Sequence, residues 1–305
     1  MSAYFAGVDG GGTSTKAIVI DESGTILGRG KSGPSNANDI GAKAAADAVL
    51  SAVSESMKQA SNISKDALLQ GVFCGIGGGL NRGAELQAIL QSSLPLRQAA
   101  RLAVGSDAEN LIFAGLGMSD GIVLISGTGS SCFAQAGGRV YQAGGWGWLF
   151  DGGCGFEIAR TAIERVFEYH DGRAPGCQIL HKCIFEALGG EPWELLSQIY
   201  GENPRKYIAS AALAVFRAAD LGSAEAELII EKNADYLINL VSAAAKAAGL
   251  GSGTKVILSG GVAGEPRIKN RLEGLRGLGF LPETLTISPE LGAALKAKAL
   301  FGGGT

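Results

Sequence analysis

The sequence is poor in several residue types, and each shortage excludes a class of protein. It holds two histidines, and its five cysteines form no CxxC pair, which leaves little for metal or covalent chemistry. Charged residues make up 18%, with a net charge of −3 and no basic block, so we expect no nucleic-acid or membrane partner. No apolar run approaches the ~18 residues of a membrane span, and the first residues show no signal pattern. We expect a cytoplasmic protein with reduced thiols.

Apolar residues and glycine are abundant instead. Hydrophobic residues make up 46% of the 305 residues, which predicts a folded globular chain with room for two domains. The 48 glycines are about twice the ~7% average. They cluster in short bursts, so they punctuate the structure and do not form a low-complexity tract.

The first glycine burst lies between two predicted strands. Residues 6–24 read AGVDGGGTSTKAIVIDESG. In Rossmann and P-loop arrangements a helix follows the glycines, whereas here a β-branched run follows and ends in a turn. The pattern predicts strand, glycine turn, strand, turn and a third strand over 25–31. A ligand at this loop would be held by a β-hairpin.

The same layout recurs later in the chain. Residues 121–145 read GIVLISGTGSSCFAQAGGRVYQAGG, so that 125–131 match 8–14. Such self-similarity predicts two related halves, with a boundary within 115–121. Each half continues into alternating strands and helices, which predicts mixed sheets covered by helices. Further strands are predicted over 70–76, 100–105 and 255–258, and helices over 40–60, 81–91, 107–114, 156–170, 178–188, 204–219, 225–248 and 289–301.

The two matching glycine loops predict a polyphosphate site. Consecutive backbone N–H groups and hydroxyls are the donors that phosphate oxygens need. Asp9 ends the first strand, where a carboxylate can hold Mg²⁺ that bridges the phosphates. The alternative is that both loops are only tight turns. Two matching loops, one with a carboxylate at its edge, favour the phosphate interpretation.

Five motifs taken together resemble a known family. In order they are VDGGGTSTK, GSDAENLIFAG, ISGTGSS, GGWG and LSGGVAG, and the set resembles the N-acetylglucosamine kinase family of the BadF/BadG/BcrA/BcrD-type ATPases over nearly the whole chain. The resemblance implies an α/β, two-lobed, ribonuclease H-like fold of the actin/hexokinase type, with mixed β-sheets flanked by helices and a cleft between the lobes. The N-terminal lobe would span 1–117, with a C-terminal helix at 289–305 packing back on it, and the C-terminal lobe would span 118–288.

The same resemblance implies ATP with Mg²⁺ as cofactors and transfer of the γ-phosphoryl group to the 6-hydroxyl of N-acetylglucosamine. Asp107 matches the position of the family's catalytic base. The alternative interpretation is that Asp107 is only the N-cap of a helix. Metal binding falls to Asp9. The nucleotide would be held by Gly11, Gly12 and Thr13, by Gly127, Thr128 and Gly129, and on the adenosine side by Ser259, Gly260 and Gly261.

The sugar is the expected small-molecule partner, and a homodimer is compatible with the resemblance. Besides Asp107, the implied sugar-binding residues are Asn36, Gly145, Trp146 and Asp151, while Trp148 is interpreted as a core residue. The segment Asp151–Gly155 departs from the family pattern: it is one residue shorter, lacks a glutamate and has cysteine in place of serine. Because this concerns recognition of the 2-amino substituent, a glucosamine kinase of the same fold is the alternative.

Two other classes compete. An activator ATPase of hydroxyacyl-CoA dehydratases would need thiolates for an iron–sulfur cluster; Cys74 and Cys132 are candidates, but the SGTGSS loop is the kinase form. A non-catalytic sugar sensor is opposed by the presence of Asp9 and Asp107. A zinc site formed by Cys177, His181 and Cys183 is the last alternative. Helical spacing does not place these three residues on one face, so we interpret them as packed core residues and not as zinc ligands.

Overall fold

The computed structural model describes residues 3–60, 68–93, 96, 99, 101–190 and 192–303. They divide into two compact units. The first unit holds the described residues up to Met118 together with those from Leu285 onward, and the second unit is Ser119–Thr284.

The first unit is built on a five-stranded mixed sheet in the order β3-β2-β1-β4-β5. The first three strands form antiparallel hairpins, whereas β4 pairs parallel with β1 and β5 parallel with β4. The predicted strand–glycine turn–strand pattern is thus confirmed. The strands are β1 (Tyr4–Gly10), β2 (Thr15–Ile20), β3 (Ile26–Ser32), β4 (Leu69–Ile76) and β5 (Leu102–Gly105).

Helices cover both faces of this sheet. One face, with Ala6 and Val8, packs against α2 and α3, and the other, with Phe5 and Ile18, packs against α12. The helix predicted over 40–60 is in fact two, because Gly41 has φ of +82° and ends α1. The helices are α1 (Ala37–Ile40), α2 (Ala42–Gln59), α3 (Gly79–Ser92), α4 (Asp107–Leu116) and, from the end of the chain, α12 (Pro289–Phe301).

Glycine permits α12 to lie directly on the sheet. A Cβ on Gly7 in β1 would lie 2.0 Å from the backbone nitrogen of Ala294, and one on Gly292 would lie 2.2 Å from the carbonyl oxygen of Asn110 in α4. The last helix therefore belongs to the core of the first unit.

The second unit repeats the topology of the first sheet, in the order β10-β9-β6-β7-β8. Again three strands form antiparallel hairpins, and two more add in parallel. The last strand, β10, was not predicted. The strands are β6 (Gly121–Ser126), β7 (Ser130–Ala136), β8 (Arg139–Gly144), β9 (Lys255–Ser259) and β10 (Leu281–Thr284).

A larger helical layer packs on this sheet. In α5 the buried residues Ile158, Ala162 and Val166 recur at intervals of four, which places them on one face against the core. The helix predicted over 204–219 breaks at Ala211, and α7 was not predicted. None of the described helices combines the length and apolar character needed to cross a membrane. The helices are α5 (Gly155–His170), α6 (Gln178–Leu188), α7 (Pro192–Ile199), α8 (Pro204–Ser210), α9 (Ala212–Asp220), α10 (Ala224–Ala248) and α11 (Pro266–Leu272), followed by a 3-10 turn at Glu273–Leu278.

Candidate functional site

The loop between β1 and β2 is closed on itself and leaves two amides free. The Gly11 N–H donates to the carbonyl of Ser14 at 3.2 Å. Within the described part of the chain the amides of Gly12 and Thr13 have no hydrogen-bond partner, and both residues are exposed. This is the arrangement predicted for phosphate contact, since adjacent free N–H groups suit an anion.

Asn36 is tied to the same loop. Its backbone N–H donates to the carbonyl of Gly11 at 3.2 Å. Its side-chain oxygen caps α1 by accepting from the Asn38 N–H at 3.0 Å. The structure thus brings Asn36 next to Gly11–Thr13 and leaves its side-chain NH₂ group without a partner among the described residues.

A buried amide holds the Asp9 carboxylate at the end of β1. The side-chain nitrogen of Asn110 in α4 donates to Asp9 Oδ1 at 2.9 Å and approaches the carbonyls of Val8 and Gly75 at 3.1 and 3.2 Å. Asn110 is fully buried. A Cβ on Gly75 would lie 2.1 Å from Asn110 Oδ1, so glycine is required there. Sequence reasoning missed Asn110, although it lies in the GSDAEN motif.

Negative charge is concentrated around Asp9. Burial, the largest effect, and the carboxylates of Asp107 and Glu290 together raise the pKa of Asp9 to about 6, against the lowering effects of the Asn110 hydrogen bond and Lys16. Glu290, at the start of α12, is buried and its Oε2 atom accepts no hydrogen bond within the described residues. Nothing in the sequence pattern marked this residue as part of the site.

This donor set fits Mg²⁺. Carboxylate oxygens are its preferred protein ligands, and it is usually bound by one or two carboxylates together with water and phosphate oxygens. In the part of the chain that the structure describes, no three His, Cys, Asp or Glu side chains lie close enough to hold an ion by themselves. Asp9 could therefore hold such an ion together with ligands from outside the chain, such as phosphate oxygens.

Asp107 is not the N-cap of α4, so the alternative interpretation is wrong. Ser106 caps the helix in a capping box, in which Glu109 accepts from the Ser106 N–H at 3.0 Å. Asp107 is the first helical residue, and its Oδ1 accepts from the Ala108 N–H at 3.0 Å. Its side chain is exposed, yet surrounding protein atoms partly desolvate the carboxyl and raise its pKa. Asp107 is thus free to accept a proton from a ligand.

The capping box is linked to the last helix. Lys296 of α12 forms an ion pair with Glu109 and lies 4.1 Å from the ring centroid of Phe73. Because Glu109 holds Ser106, this pair fixes the chain just before Asp107.

In the second unit the loop between β6 and β7 repeats the features of the first. The Gly127 N–H donates to the carbonyl of Gly129 at 2.9 Å, and the first turn of α5 binds the carbonyl of Gly127 through the Gly155 N–H at 2.8 Å. The amides of Thr128 and Gly129 have no partner in the described parts of the chain. Again two adjacent N–H groups are available to an anion.

The third glycine loop packs against the second. The amides of Val262 and Ala263 both donate to the carbonyl of Ser126, at 3.0 and 3.1 Å. Gly260 has φ of +101°, and a Cβ there would lie 2.2 Å from that same oxygen. Only glycine allows the loop Ser259–Gly261 to approach so closely.

The predicted sugar-binding segment is organised around the Asp151 carboxylate. Asp151 is buried and accepts from the amides of Gly145 and Gly147 at 3.1 and 2.7 Å, so its carboxylate shapes its own loop. Trp146 is 80% exposed. Trp148 is half-buried and packs edge-on against Phe156 at the edge of the core, with ring centroids 4.8 Å apart. Its interpretation as a core residue is thus confirmed only in part.

One cavity of about 400 Å³ gathers several of these residues in the second unit. It brings the Gly127–Gly129 loop together with Gly260, Gly145 and Asp151, but Trp146, Ser259 and Gly261 do not line it. It also contains Arg205 from α8, which sequence reasoning missed because a single arginine carries no spacing signal. The full lining is Ile125, Gly127, Thr128, Gly129, Ser130, Ser131, Gly145, Gly147, Trp148, Asp151, Arg205 and Gly260.

A second cavity, of about 230 Å³, lies at the β2–β3 edge of the first unit. Lys16, Arg29, Lys31, Glu55 and Glu290 are among its lining residues. None of the predicted site residues lines it, and we regard the glycine loops as the better candidates.

Two sheets of identical topology, each opening on a glycine hairpin, define an ATPase of the actin/hexokinase-type fold, as predicted. The chain belongs to the BadF/BadG/BcrA/BcrD ATPase family, whose model matches residues 6–297.

Three similar proteins match most or all of the chain. The chain is 26% identical to an N-acetyl-D-glucosamine kinase of Dictyostelium discoideum, over 96% of this chain and 97% of the relative. It is 28% identical to an N-acetylmuramic acid/N-acetylglucosamine kinase of Clostridium acetobutylicum, over 85% of each. A solved structure of a Chromobacterium violaceum protein proposed to be an N-acetylglucosamine kinase superposes with a TM-score of 0.80 at 25% identity, covering 97% of this chain and 99% of the other.

Proposed function

We propose that this protein is an ATP-dependent hexosamine kinase that transfers the γ-phosphoryl group of Mg-ATP to the 6-hydroxyl of N-acetylglucosamine. The observation that carries the proposal is the accessible Asp107 carboxylate, whose charge acts on Asp9 within the unit that also holds the Gly11–Thr13 loop. Full-length relatives that carry kinase names support the substrate class.

In this proposal Asp107 is the general base. Its free carboxylate oxygen accepts the proton of the sugar 6-hydroxyl as that oxygen forms a bond to the γ-phosphorus, and the bond from phosphorus to the bridging oxygen of ADP breaks. The raised pKa of Asp107 makes it a better proton acceptor than an ordinary aspartate. Asn36, with its NH₂ group unpaired in the described chain, would orient the sugar.

Asp9 would hold Mg²⁺, which when bound neutralises charge on the phosphates. The Asn110 side-chain nitrogen donates to Asp9 Oδ1 at 2.9 Å and so fixes the orientation of the Asp9 carboxylate. The carboxylate then needs no reorientation to bind a ligand. The free amides of the Gly11–Thr13 and Gly127–Gly129 loops would bind phosphate oxygens, and Ser259–Gly261 would take the adenosine side.

Glucosamine is the alternative substrate. Asp151, the residue expected to reach the sugar, is used by its own loop amides, and the same segment departs from the acetamido pattern. An activator ATPase is disfavoured, because the thiols that would have to bind its iron–sulfur cluster are buried. Cys74 and Cys132 are fully buried in the two cores, and burial raises the pKa of Cys74 to about 12, which opposes the thiolate form that a cluster requires.

A coupled ADP-release assay with Mg-ATP tests the proposal. The sugars are N-acetylglucosamine, glucosamine, glucose, N-acetylmannosamine and N-acetylmuramic acid. We expect the highest kcat/KM with N-acetylglucosamine. A preference for glucosamine would change the proposed substrate and leave the proposed mechanism unchanged. ATP binding without sugar-dependent turnover would instead favour a non-catalytic sugar sensor. The homodimer stays a prediction. Light scattering of the purified protein would measure its molar mass in solution and so test it.

A further inference from the structure

Arg205 of α8 reaches the second glycine loop. Its Nη2 atom lies 3.4 Å from the point that a Cβ on Gly129 would occupy, and it lines the same cavity as Thr128 and Gly129. Gly129 thus leaves room for a guanidinium group beside the loop.

Arg205 also differs from most arginines of the second unit in its partners. No carboxylate of the described residues lies within ion-pair distance of it. By contrast, most arginines of this unit form ion pairs, namely Arg160, Arg165, Arg173, Arg217, Arg267, Arg271 and Arg276. A guanidinium without a carboxylate partner can bind an anionic ligand instead.

The cavity itself favours an anion near Arg205. Among the described residues that line it, Asp151 is the only other charged one, and that carboxylate is buried and bound by the amides of Gly145 and Gly147. The loop adds the unpaired amides of Thr128 and Gly129. One cation and two adjacent N–H donors therefore point to the chemistry of a phosphate group.

We propose that Arg205 binds the phosphate chain of the nucleotide held at the Gly127–Gly129 loop. The assignment rests on the proposed ATP-dependent function. It adds a side-chain cation to a site otherwise built from backbone amides, and a forked guanidinium can bind two phosphate oxygens at once.

Binding measurements on the full-length protein test the assignment. Titration calorimetry with Mg-ADP and with adenosine would compare the wild type, Arg205→Ala, Arg205→Lys and Lys206→Ala. Lys206 is the matched control, because it is an exposed cation on the same helix that does not line the cavity. We expect Arg205→Ala to weaken Mg-ADP binding about tenfold or more and to leave adenosine binding within twofold. Arg205→Lys should recover part of the loss, and Lys206→Ala should bind like the wild type.

Several results would overturn the assignment. Mg-ADP affinity of Arg205→Ala within twofold of the wild type would remove Arg205 from the site. An equal loss for adenosine would show a structural effect, and thermal unfolding of the variant would reveal it. Failure of the proposed function looks different: the wild type would bind Mg-ADP in an Arg205-dependent manner but show no sugar-dependent turnover. A wild type that binds no nucleotide would overturn both.

Discussion

Two aspartates of the first unit have opposite surroundings. Asp9 is held by a buried side-chain amide from α4, whereas Asp107 is exposed and its carboxylate accepts from backbone amides at the start of its own helix. A metal ligand benefits from a fixed position, and a base needs a free oxygen. The difference between them supports the two proposed roles.

Replacing Asp107 by Asn should remove the proton acceptor and little else. We expect kcat to fall about 10²–10⁴-fold, because the amide cannot take the hydroxyl proton, while Mg-ADP affinity stays within a few-fold. Steady-state kinetics and calorimetry measure the two effects. Asp47→Asn, an exposed change on α2, is the control. Turnover of Asp107→Asn near the wild-type rate would assign the base elsewhere.

Asn110→Ala should reveal the link between α4 and Asp9. The loss of a buried hydrogen-bond donor should lower the free energy of unfolding by about 1–3 kcal/mol and raise the Mg²⁺ concentration needed for half-maximal ADP binding. The double variant with Asp9→Ala separates the effects: if Asn110 acts through Asp9, the two changes in Mg²⁺ dependence will not add. Additive changes would mean that Asn110 only supports the fold.

The pKa of Asp9 predicts a pH-dependent stability of the metal-free protein. Because burial and the carboxylates of Asp107 and Glu290 raise it to about 6, against the opposing effects of Asn110 and Lys16, the folded state holds this proton more tightly than the unfolded state. Its contribution is fully present below about pH 4 and is lost as the pH rises through about 6. Asp9→Asn does not titrate, so its stability relative to the wild type should rise over that range, by at most about 3 kcal/mol.

Urea unfolding in EDTA at pH 4, 5, 6 and 7 measures this difference. A constant difference between the two proteins across the series would show that the folded state does not perturb Asp9.

At the scale of elements, the contact between β1 and α12 depends on one glycine. A Cβ on Gly7 would meet backbone atoms of α12 at 2.0 and 2.4 Å, and a helix backbone cannot rotate away as a side chain can. We expect Gly7→Ala to lower the free energy of unfolding by at least about 2 kcal/mol. Gly33→Ala, with no atom within 4 Å of its Cβ, is the control and should change stability little. Equal effects of the two changes in chemical denaturation would contradict the close packing.

The elements that the sequence predicted are those with strong local patterns. The β-branched runs after each glycine burst specified the hairpins, and long amphipathic stretches specified α2, α5 and α10. The strand β10 was missed because Leu281–Thr284 is four residues long and contains Pro282, so its strand form depends on pairing with β9.

The candidate site was predictable where it is made of backbone and was not where it depends on packing. Glycines in a hairpin carry their own signal. Asn110 and Arg205 lie at the candidate site because α4 and α8 bring them to loops that are distant in sequence, and no local spacing encodes such an approach. Ser106 and Asp107 are both good caps, and only the capping box with Glu109 decided between them.

At the scale of the whole molecule, each unit is one copy of the same sheet, but only the first is completed by a segment from the other end of the chain. Without α12 the apolar face with Phe5, Ile18, Ile20 and Phe73 would be uncovered. We expect a chain that stops after residue 288 to bind a hydrophobic dye and to unfold at a lower temperature than the full chain. Native-like dye binding and unfolding would mean that α12 is peripheral.

The place of α12 has a consequence for synthesis. The strands of the first unit leave the ribosome first, yet their covering helix follows only after the whole second unit, a delay of roughly ten seconds or more at ~5–20 residues per second. During that time an apolar face of the sheet is exposed while the chain is still being synthesised, and chaperones would bind to that face. Of the two units, the one whose strands are synthesised earlier is therefore the one that completes its fold later.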